Sequence, residues 1–122
     1  MIQTNFDDKR NVLITEFEGK IDMRQAEEFY TNFQTFLPKL GKGFKLLTDL
    51  SRAQFVDPNI QELVKRTMDL LNDQGVREII RVIPDPERDI GFNIMSLFHY
   101  SKDVKIHTVE FREEADALLS NE

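Results

Sequence analysis

Residues 44–58 constrain the fold more than any other part of this chain. The apolar run Phe44–Leu50 predicts a buried strand, and the polar residues after it predict a short crossing. Asp57 followed by Pro58 predicts a helix start, with Asp57 as the N-cap and the proline at the first helical position, where its missing N–H costs nothing. A strand that leads through a short connection into a capped helix is typical of α/β proteins.

The segments before residue 44 predict a hairpin and a first helix. Ile2–Phe6 and Val12–Phe17 are short β-like runs on either side of a polar turn, and Gly19 is expected to end the second strand. Asp22 is then expected to cap a helix, because Gln25 follows three residues later in the capping-box position.

The segments after residue 58 continue the alternation of helices and strands. The helix that starts there is expected to end at Gly75 in a left-handed conformation. Strands are predicted at Val76–Ile83 and Val104–Val109, and helices at Asp89–Tyr100 and Glu113–Leu119. Right-handed crossovers then make neighbouring strands parallel. The sequence therefore predicts an α/β fold, with an N-terminal hairpin and then alternating strands and helices. Together they form a mixed, mainly parallel sheet with helices packed against it.

The size and charge of the chain argue against several classes of protein. Its 122 residues suit one domain over 1–122, and 40% hydrophobic with 31% charged residues is a globular composition. A net charge of −6 with scattered Lys and Arg disfavours nucleic-acid binding. No apolar run approaches the roughly 20 residues that span a bilayer, and no cysteine is present for disulfides, thiol catalysis or metal ligation. We therefore expect a cytoplasmic protein.

Three short motifs carry a resemblance to a known family. Gly19-Lys20-Ile21-Asp22 resembles G-x-[LI]-D between the family's second strand and first helix. Leu47-Thr48-Asp49-Leu50-Ser51 resembles its third strand, which ends in D-L-S, and Phe55-Val56-Asp57 resembles the F-x-D that precedes its phosphoacceptor. With the order of elements, these motifs resemble the STAS domain of anti-sigma-factor antagonists. The resemblance implies that fold and a regulatory module that binds a protein partner.

The chain departs from the family at the position that carries the family's switch. The family reads D-S-S-G at the start of its second helix, and its first serine is phosphorylated by a partner kinase. This chain reads Asp57-Pro58-Asn59-Ile60, so the phosphoacceptor-equivalent position is Pro58, which has no hydroxyl. The resemblance therefore implies the fold without a phosphoserine switch. The fold is also related to CRAL-TRIO lipid-binding domains, which leaves a ligand-binding role open.

The third strand and the helix start after it also form a candidate binding loop. Asp49, Ser51, Asp57 and Asn59 flank the crossing at the carboxyl end of a strand, the edge where ligands bind in open α/β sheets. The alternative is that these residues only cap the helix and shape the turn. Ser51 is either a second candidate phosphoacceptor or, by the usual habit of serine, a hydrogen-bonding partner of the turn that follows.

The two histidines do not indicate catalysis or a metal site. His99 and His107 lack a ligand-like spacing, and no carboxylate partner is indicated by spacing. No phosphate loop, nucleophile elbow or HExxH motif is present. We therefore predict no catalytic residues, no metal and no cofactor.

The predicted helix Asp89–Tyr100 carries apolar residues on two faces. Phe92, Met95 and His99 lie roughly opposite its main apolar stripe, at about 100° per residue. Either a neighbouring helix covers Phe92, or these residues form an interface or line a ligand site. The interface would join the chain to an unknown protein partner or to a second copy as a homodimer.

Two hypotheses about function follow. The first is a non-catalytic regulatory or protein-interaction module that resembles anti-sigma-factor antagonists. The second is a protein that binds a small, apolar, lipid-like molecule between the helix Asp89–Tyr100 and the sheet.

Overall fold

The computed structural model describes residues 1–85 and 99–120. Within that part of the chain, five strands form one sheet in the order β1-β2-β3-β4-β5. The strands are β1 Ile2–Asp7, β2 Val12–Ile21, β3 Lys45–Val56, β4 Glu78–Val82 and β5 Lys105–Val109. The helices are α1 Met23–Phe36, α2 Gln61–Gln74 and α3 Arg112–Ser120, with 3₁₀ turns at Leu37–Lys39 and Pro58–Ile60.

Strand pairing confirms the predicted sheet. β1 and β2 form an antiparallel hairpin, whereas β2–β3, β3–β4 and β4–β5 pair in parallel. The three strands predicted over 44–50, 76–83 and 104–109 are therefore neighbours in one mixed, mainly parallel sheet. Parallel neighbours require crossover connections, and α1 and α2 supply them between β2 and β3 and between β3 and β4.

Helices cover both faces of this sheet. Successive strand residues point to opposite sides, so the apolar residues of the strands form two separate clusters, one on each face. On the first face, which we call the α1/α2 face, Leu13, Leu46 and Ile79 pack with Phe33 of α1 and Leu71 of α2. On the second face, the α3 face, the strand residues pack with two buried residues of α3. The members of that cluster are Val12, Leu47, Ile80, Val82, Ala115 and Leu119.

Local signals at two helix ends agree with the structure. Asp22 caps α1 in a capping box: its Oδ1 accepts from the Gln25 backbone N–H at 2.9 Å, and Gln25 Oε1 accepts from the Asp22 N–H at 3.3 Å. Such a cap stabilises a helix by about 1 kcal/mol. Gly75 ends α2 with φ of 92°, the left-handed conformation that favours glycine.

The ends of two strands and the start of α2 differ from the predictions. β2 does not end at Gly19 but continues to Ile21, with irregular register around residues 16–20 and a Gly19 φ of 75°. β3 continues through the predicted polar crossing to Val56, because it pairs there with the end of β2. Pro58 begins a 3₁₀ turn, and α2 begins only at Gln61.

The predicted helix Asp89–Tyr100 lies mostly outside the described residues. Phe92 and Met95 fall in that part, so their predicted interface or ligand-lining role stays a prediction. In the described ranges, no helix has the length and hydropathy that crossing a bilayer requires.

Candidate functional site

The structure divides the predicted binding loop between two sides of the sheet. Asp49 and Ser51 lie on the α3 face, in contact with Arg112 or with each other. Asp57 and Pro58 instead line a cavity between the sheet and helices α1 and α2. The candidate residues therefore belong to two separate arrangements rather than one.

Arg112 connects the start of α3 to the middle of two strands, β2 and β3. Its Nη1 donates to Glu16 Oε2 and to Asp49 Oδ2, both at 2.9 Å, and its Nε donates to Asp116 Oδ1 at 3.1 Å. Glu16 and Asp49 are register partners on β2 and β3, so one guanidinium reaches both. We call these four residues the Arg112 cluster. Its geometry fixes α3 against the sheet.

Ser51 completes the hydrogen bonding of Asp49. The Ser51 hydroxyl donates to Asp49 Oδ1 at 2.6 Å, and the Ser51 backbone N–H donates to the same oxygen at 2.9 Å. The expectation that Ser51 bonds to the turn after it is therefore wrong, because residues 51–56 continue β3 and the nearest acceptor is the buried carboxylate before it.

The charges of the Arg112 cluster are stabilised by their hydrogen bonds. Burial alone would raise the pKa of Asp49, but the two bonds from Ser51 and the Arg112 guanidinium outweigh it and lower that pKa below its usual value. Burial likewise opposes the charge of Arg112, yet its carboxylate partners raise the pKa of the guanidinium. Both groups stay charged at neutral pH.

The low pKa of Asp49 predicts a loss of stability in acid. The Asp49 carboxylate stabilises the fold fully above the unfolded-state pKa of about 4, and this contribution is lost as the pH falls through the lower folded-state pKa. Unfolding free energies between about pH 2 and 5 should therefore depend less on pH in Asp49→Asn, with Ser51→Ala intermediate. Equal slopes in the wild type and Asp49→Asn would contradict the role of this carboxylate.

The helix start at residues 57–60 is capped by its own side chain. Asp57 Oδ1 accepts from the Asn59 backbone N–H at 2.9 Å, and the Ile60 N–H donates to the Asp57 carbonyl at 3.1 Å. The Asp57 N–H in turn donates to the Ile21 carbonyl at 3.0 Å. Pro58 and Asn59 are exposed, and none of residues 57–60 carries a hydroxyl.

Each histidine has a carboxylate neighbour that its spacing in the sequence did not reveal. His99 Nδ1 lies 2.7 Å from Asp69 Oδ1, which α2 carries 30 residues earlier. His107 Nε2 lies 3.8 Å from Glu78 Oε1. The buried Lys45 Nζ lies 3.9 Å from the same carboxylate oxygen. Within residues 1–85 and 99–120, no group of three or more His, Asp or Glu residues is placed to hold a metal.

A cavity of about 430 Å³ lies between the α1/α2 face and the helices above it. Its walls are mostly apolar and come from β2, β3, α1 and α2; among them are Phe17, Phe29, Phe33, Leu50, Leu63 and Met68. Polar side chains on its floor include Thr15, Thr48 and Arg81. The sequence analysis did not predict this cavity. The signal for it was the presence of three polar residues, Thr15, Thr48 and Arg81, at positions of the strands that face the helices.

Comparison with solved structures finds the same fold in other proteins. SpoIIAA, a Bacillus cell fate determinant solved in its phosphorylated form, has a TM-score of 0.67 and 18% identity, covering 97% of this chain and 99% of that one. An anti-sigma factor antagonist from Mycobacterium paratuberculosis has a TM-score of 0.62 and 16% identity, covering 99% and 96%.

A third structure has the same fold at still lower identity. An uncharacterised DUF3478 protein from Shewanella loihica, described as having a SpoIIAA-like fold, has a TM-score of 0.72 and 10% identity, covering 98% of this chain and 92% of that one. No protein-family model matches the chain, and no curated protein matches its sequence. The chain therefore has the SpoIIAA-like, or STAS-like, fold over nearly its whole length.

Proposed function

We propose that this chain is a non-catalytic regulatory or protein-interaction module. The observation that carries the proposal is the fold, shared over nearly the whole chain with SpoIIAA and with an anti-sigma factor antagonist. The three motifs that resemble the STAS family support the same class of function. The partner is a protein, or a second copy of the chain.

The surface proposed for the partner is the exposed 3₁₀ turn Pro58–Ile60, which leads into α2. In the family that the chain resembles, this position carries the switch serine. Here Pro58 and Asn59 are exposed, and the Asp57 carboxylate already accepts from the Asn59 N–H. Because residues 57–60 have no hydroxyl, the interaction proceeds without phosphorylation at this position.

A capture experiment tests the proposal. The tagged chain is incubated with a lysate of its own organism, captured proteins are identified by mass spectrometry, and the purified chain is weighed by native mass spectrometry. Asn59→Arg changes the proposed surface, and Asn32→Arg makes the same change at an exposed site on α1. We expect a reproducible partner, or a dimer, that Asn59→Arg loses and Asn32→Arg keeps.

Two outcomes would count against the proposal. A partner kept by both variants would place the interface elsewhere than the 3₁₀ turn Pro58–Ile60. A monomeric mass together with no partner above the level of an untagged control would overturn the interaction module itself.

The absence of a phosphoserine switch gives a further expected result. Incubation with an anti-sigma-type kinase and ATP should leave residues 55–60 unmodified, as read by mass spectrometry of their peptides. Pro58→Ser provides the matched variant with a hydroxyl at the position in question. It should remain folded, because proline and serine both suit helix starts. Phosphate within residues 55–60 of the wild type would contradict the prediction, whereas phosphate on Ser51 would show that the switch has moved.

A second candidate function is the binding of a small apolar molecule, and the cavity favours it. Its volume of about 430 Å³ lies within the range of ligand sites, roughly 300–1,000 Å³, and its walls are mostly apolar. The cavity lies between the sheet, α1 and α2, whereas the sequence suggested a site between the helix Asp89–Tyr100 and the sheet. Tyr100 is among the residues that line the cavity. Organic extraction of the purified protein followed by mass spectrometry tests for a retained ligand.

A further inference from the structure

We propose that the cavity takes an apolar molecule with one oxygen-bearing polar group, a hydroxyl or a carboxylate, and that this group binds on a polar row formed by Thr15, Thr48 and Arg81. The proposal rests on the second candidate function and adds the chemistry and orientation of the ligand. It is independent of the interaction module.

The polar row follows from the register of three parallel strands. Thr15 of β2 pairs with Thr48 of β3, and Thr48 pairs with Arg81 of β4. Side chains at paired positions point to the same face and lie about 5 Å apart, strand to strand. All three side chains line the cavity. The row therefore places two hydroxyls and one guanidinium side by side under apolar walls.

The Thr15 hydroxyl is the member of the polar row whose hydrogen bonding is not satisfied. Its residue is 2% exposed, and among the described residues its Oγ1 is buried without a hydrogen-bond partner. Buried polar side chains are almost always hydrogen-bonded. The Thr15 Oγ1 has less than 1 Å² of accessible surface, and because the residue lines the cavity, a rotation about χ1 would bring this hydroxyl to a ligand oxygen. The Thr15 hydroxyl both donates and accepts, and it therefore suits either a hydroxyl or a carboxylate oxygen.

The size and lining of the cavity favour an organic molecule over water alone. Water occupies roughly 30 Å³ per molecule, so a cavity of about 430 Å³ would need many waters. Most of these would face apolar walls such as Phe29, Leu63 and Met68, where they would lack partners. An apolar body against those walls, with one oxygen at the row, matches both the apolar walls and the polar row.

The cavity reaches the protein surface beside the start of α2. Gln54, Pro58 and Gln61 line it and are exposed. A ligand would therefore enter near the 3₁₀ turn Pro58–Ile60 with its oxygen directed inward to Thr15. The apolar end would lie nearer the opening.

A set of three probes tests the proposal: naphthalene, naphthol and naphthoate, titrated by NMR chemical-shift mapping of the labelled 14.3 kDa chain. Naphthol or naphthoate should bind more tightly than naphthalene, by about two- to tenfold for one net hydrogen bond. Thr15→Val keeps the shape and removes the hydroxyl. It should reduce that preference, because Thr48 and Arg81 remain, while naphthalene binding stays unchanged. Val64→Phe fills the cavity and should weaken all three.

The outcomes separate this proposal from the function on which it rests. If none of the probes shifts the cavity residues of the wild type, ligand binding and the polar row both fail. If all three bind equally and Thr15→Val changes nothing, ligand binding stands and the polar row is overturned. If Val64→Phe does not fold, the wild-type shift map still locates the site, and shifts confined to other surfaces overturn the proposal.

Discussion

Replacing Phe33 with alanine is expected to lower the free energy of unfolding by about 3–5 kcal/mol. Phe33 of α1 is 1% exposed, packs against Phe29 with ring centroids 5.4 Å apart, and contacts the buried residues of the α1/α2 face. The loss combines the apolar surface of the ring with the space it leaves in the core. Urea unfolding monitored by circular dichroism measures the effect.

Phe36→Ala provides the matched control for this experiment. Phe36 lies one turn further along α1 but is only partly buried, so its loss should cost less than half as much. Equal losses for the two variants would contradict the assignment of Phe33 to the core. The Phe33→Ala cavity should also accept larger apolar probes than the wild-type cavity does.

Replacing Arg112 with methionine is expected to cost about 2–3 kcal/mol, the range for leaving buried charged groups without their partner. The Asp49 side chain is only 11% exposed and would lose the Nη1 bond, whereas Glu16 is 40% exposed and regains water. Arg112 itself is 32% exposed, which keeps the expected loss below that of a fully buried pair. Thermal and urea unfolding at pH 7 measure it.

A double variant and an exposed control sharpen this prediction. Adding Asp49→Asn to Arg112→Met should cost less than the sum of the single changes, because the unpaired carboxylate is gone. Arg24→Met removes a pair in which the arginine side chain is 87% exposed, and it should cost less than 1 kcal/mol. A similar loss in Arg24→Met and Arg112→Met would show that the Arg112 cluster contributes nothing specific.

Much of the fold is predictable because the signals that set it are local. Asp22 with Gln25 specifies the start of α1 through contacts three residues apart, and Gly75 ends α2 by its own backbone freedom. The alternation of strands and helices then leaves few topologies. The extension of β3 to Val56 has no such signal, because it depends on pairing with the irregular end of β2, which lies more than thirty residues earlier.

The candidate site is less predictable because its contacts are distant in the sequence. Arg112 meets Glu16 across 96 positions and Asp49 across 63, and no spacing rule links such residues. Thr15 and Thr48 were visible as polar residues in strand patterns, yet only the register shows that they are neighbours. Asp49 and Asp57 are also separated because β3 continues between them. The turn that the sequence predicted there would have kept the two residues close together.

The 3₁₀ turn Pro58–Ile60 belongs to two surfaces at once. Pro58 and Asn59 face solvent where we propose that a partner binds, while Pro58 and Ile60 also line the cavity. If a ligand in the cavity shifts this turn, it changes partner affinity by some factor, and the partner changes ligand affinity by the same factor. Occupancy of the cavity would then control partner binding at the turn where the chain carries Pro58 and no hydroxyl.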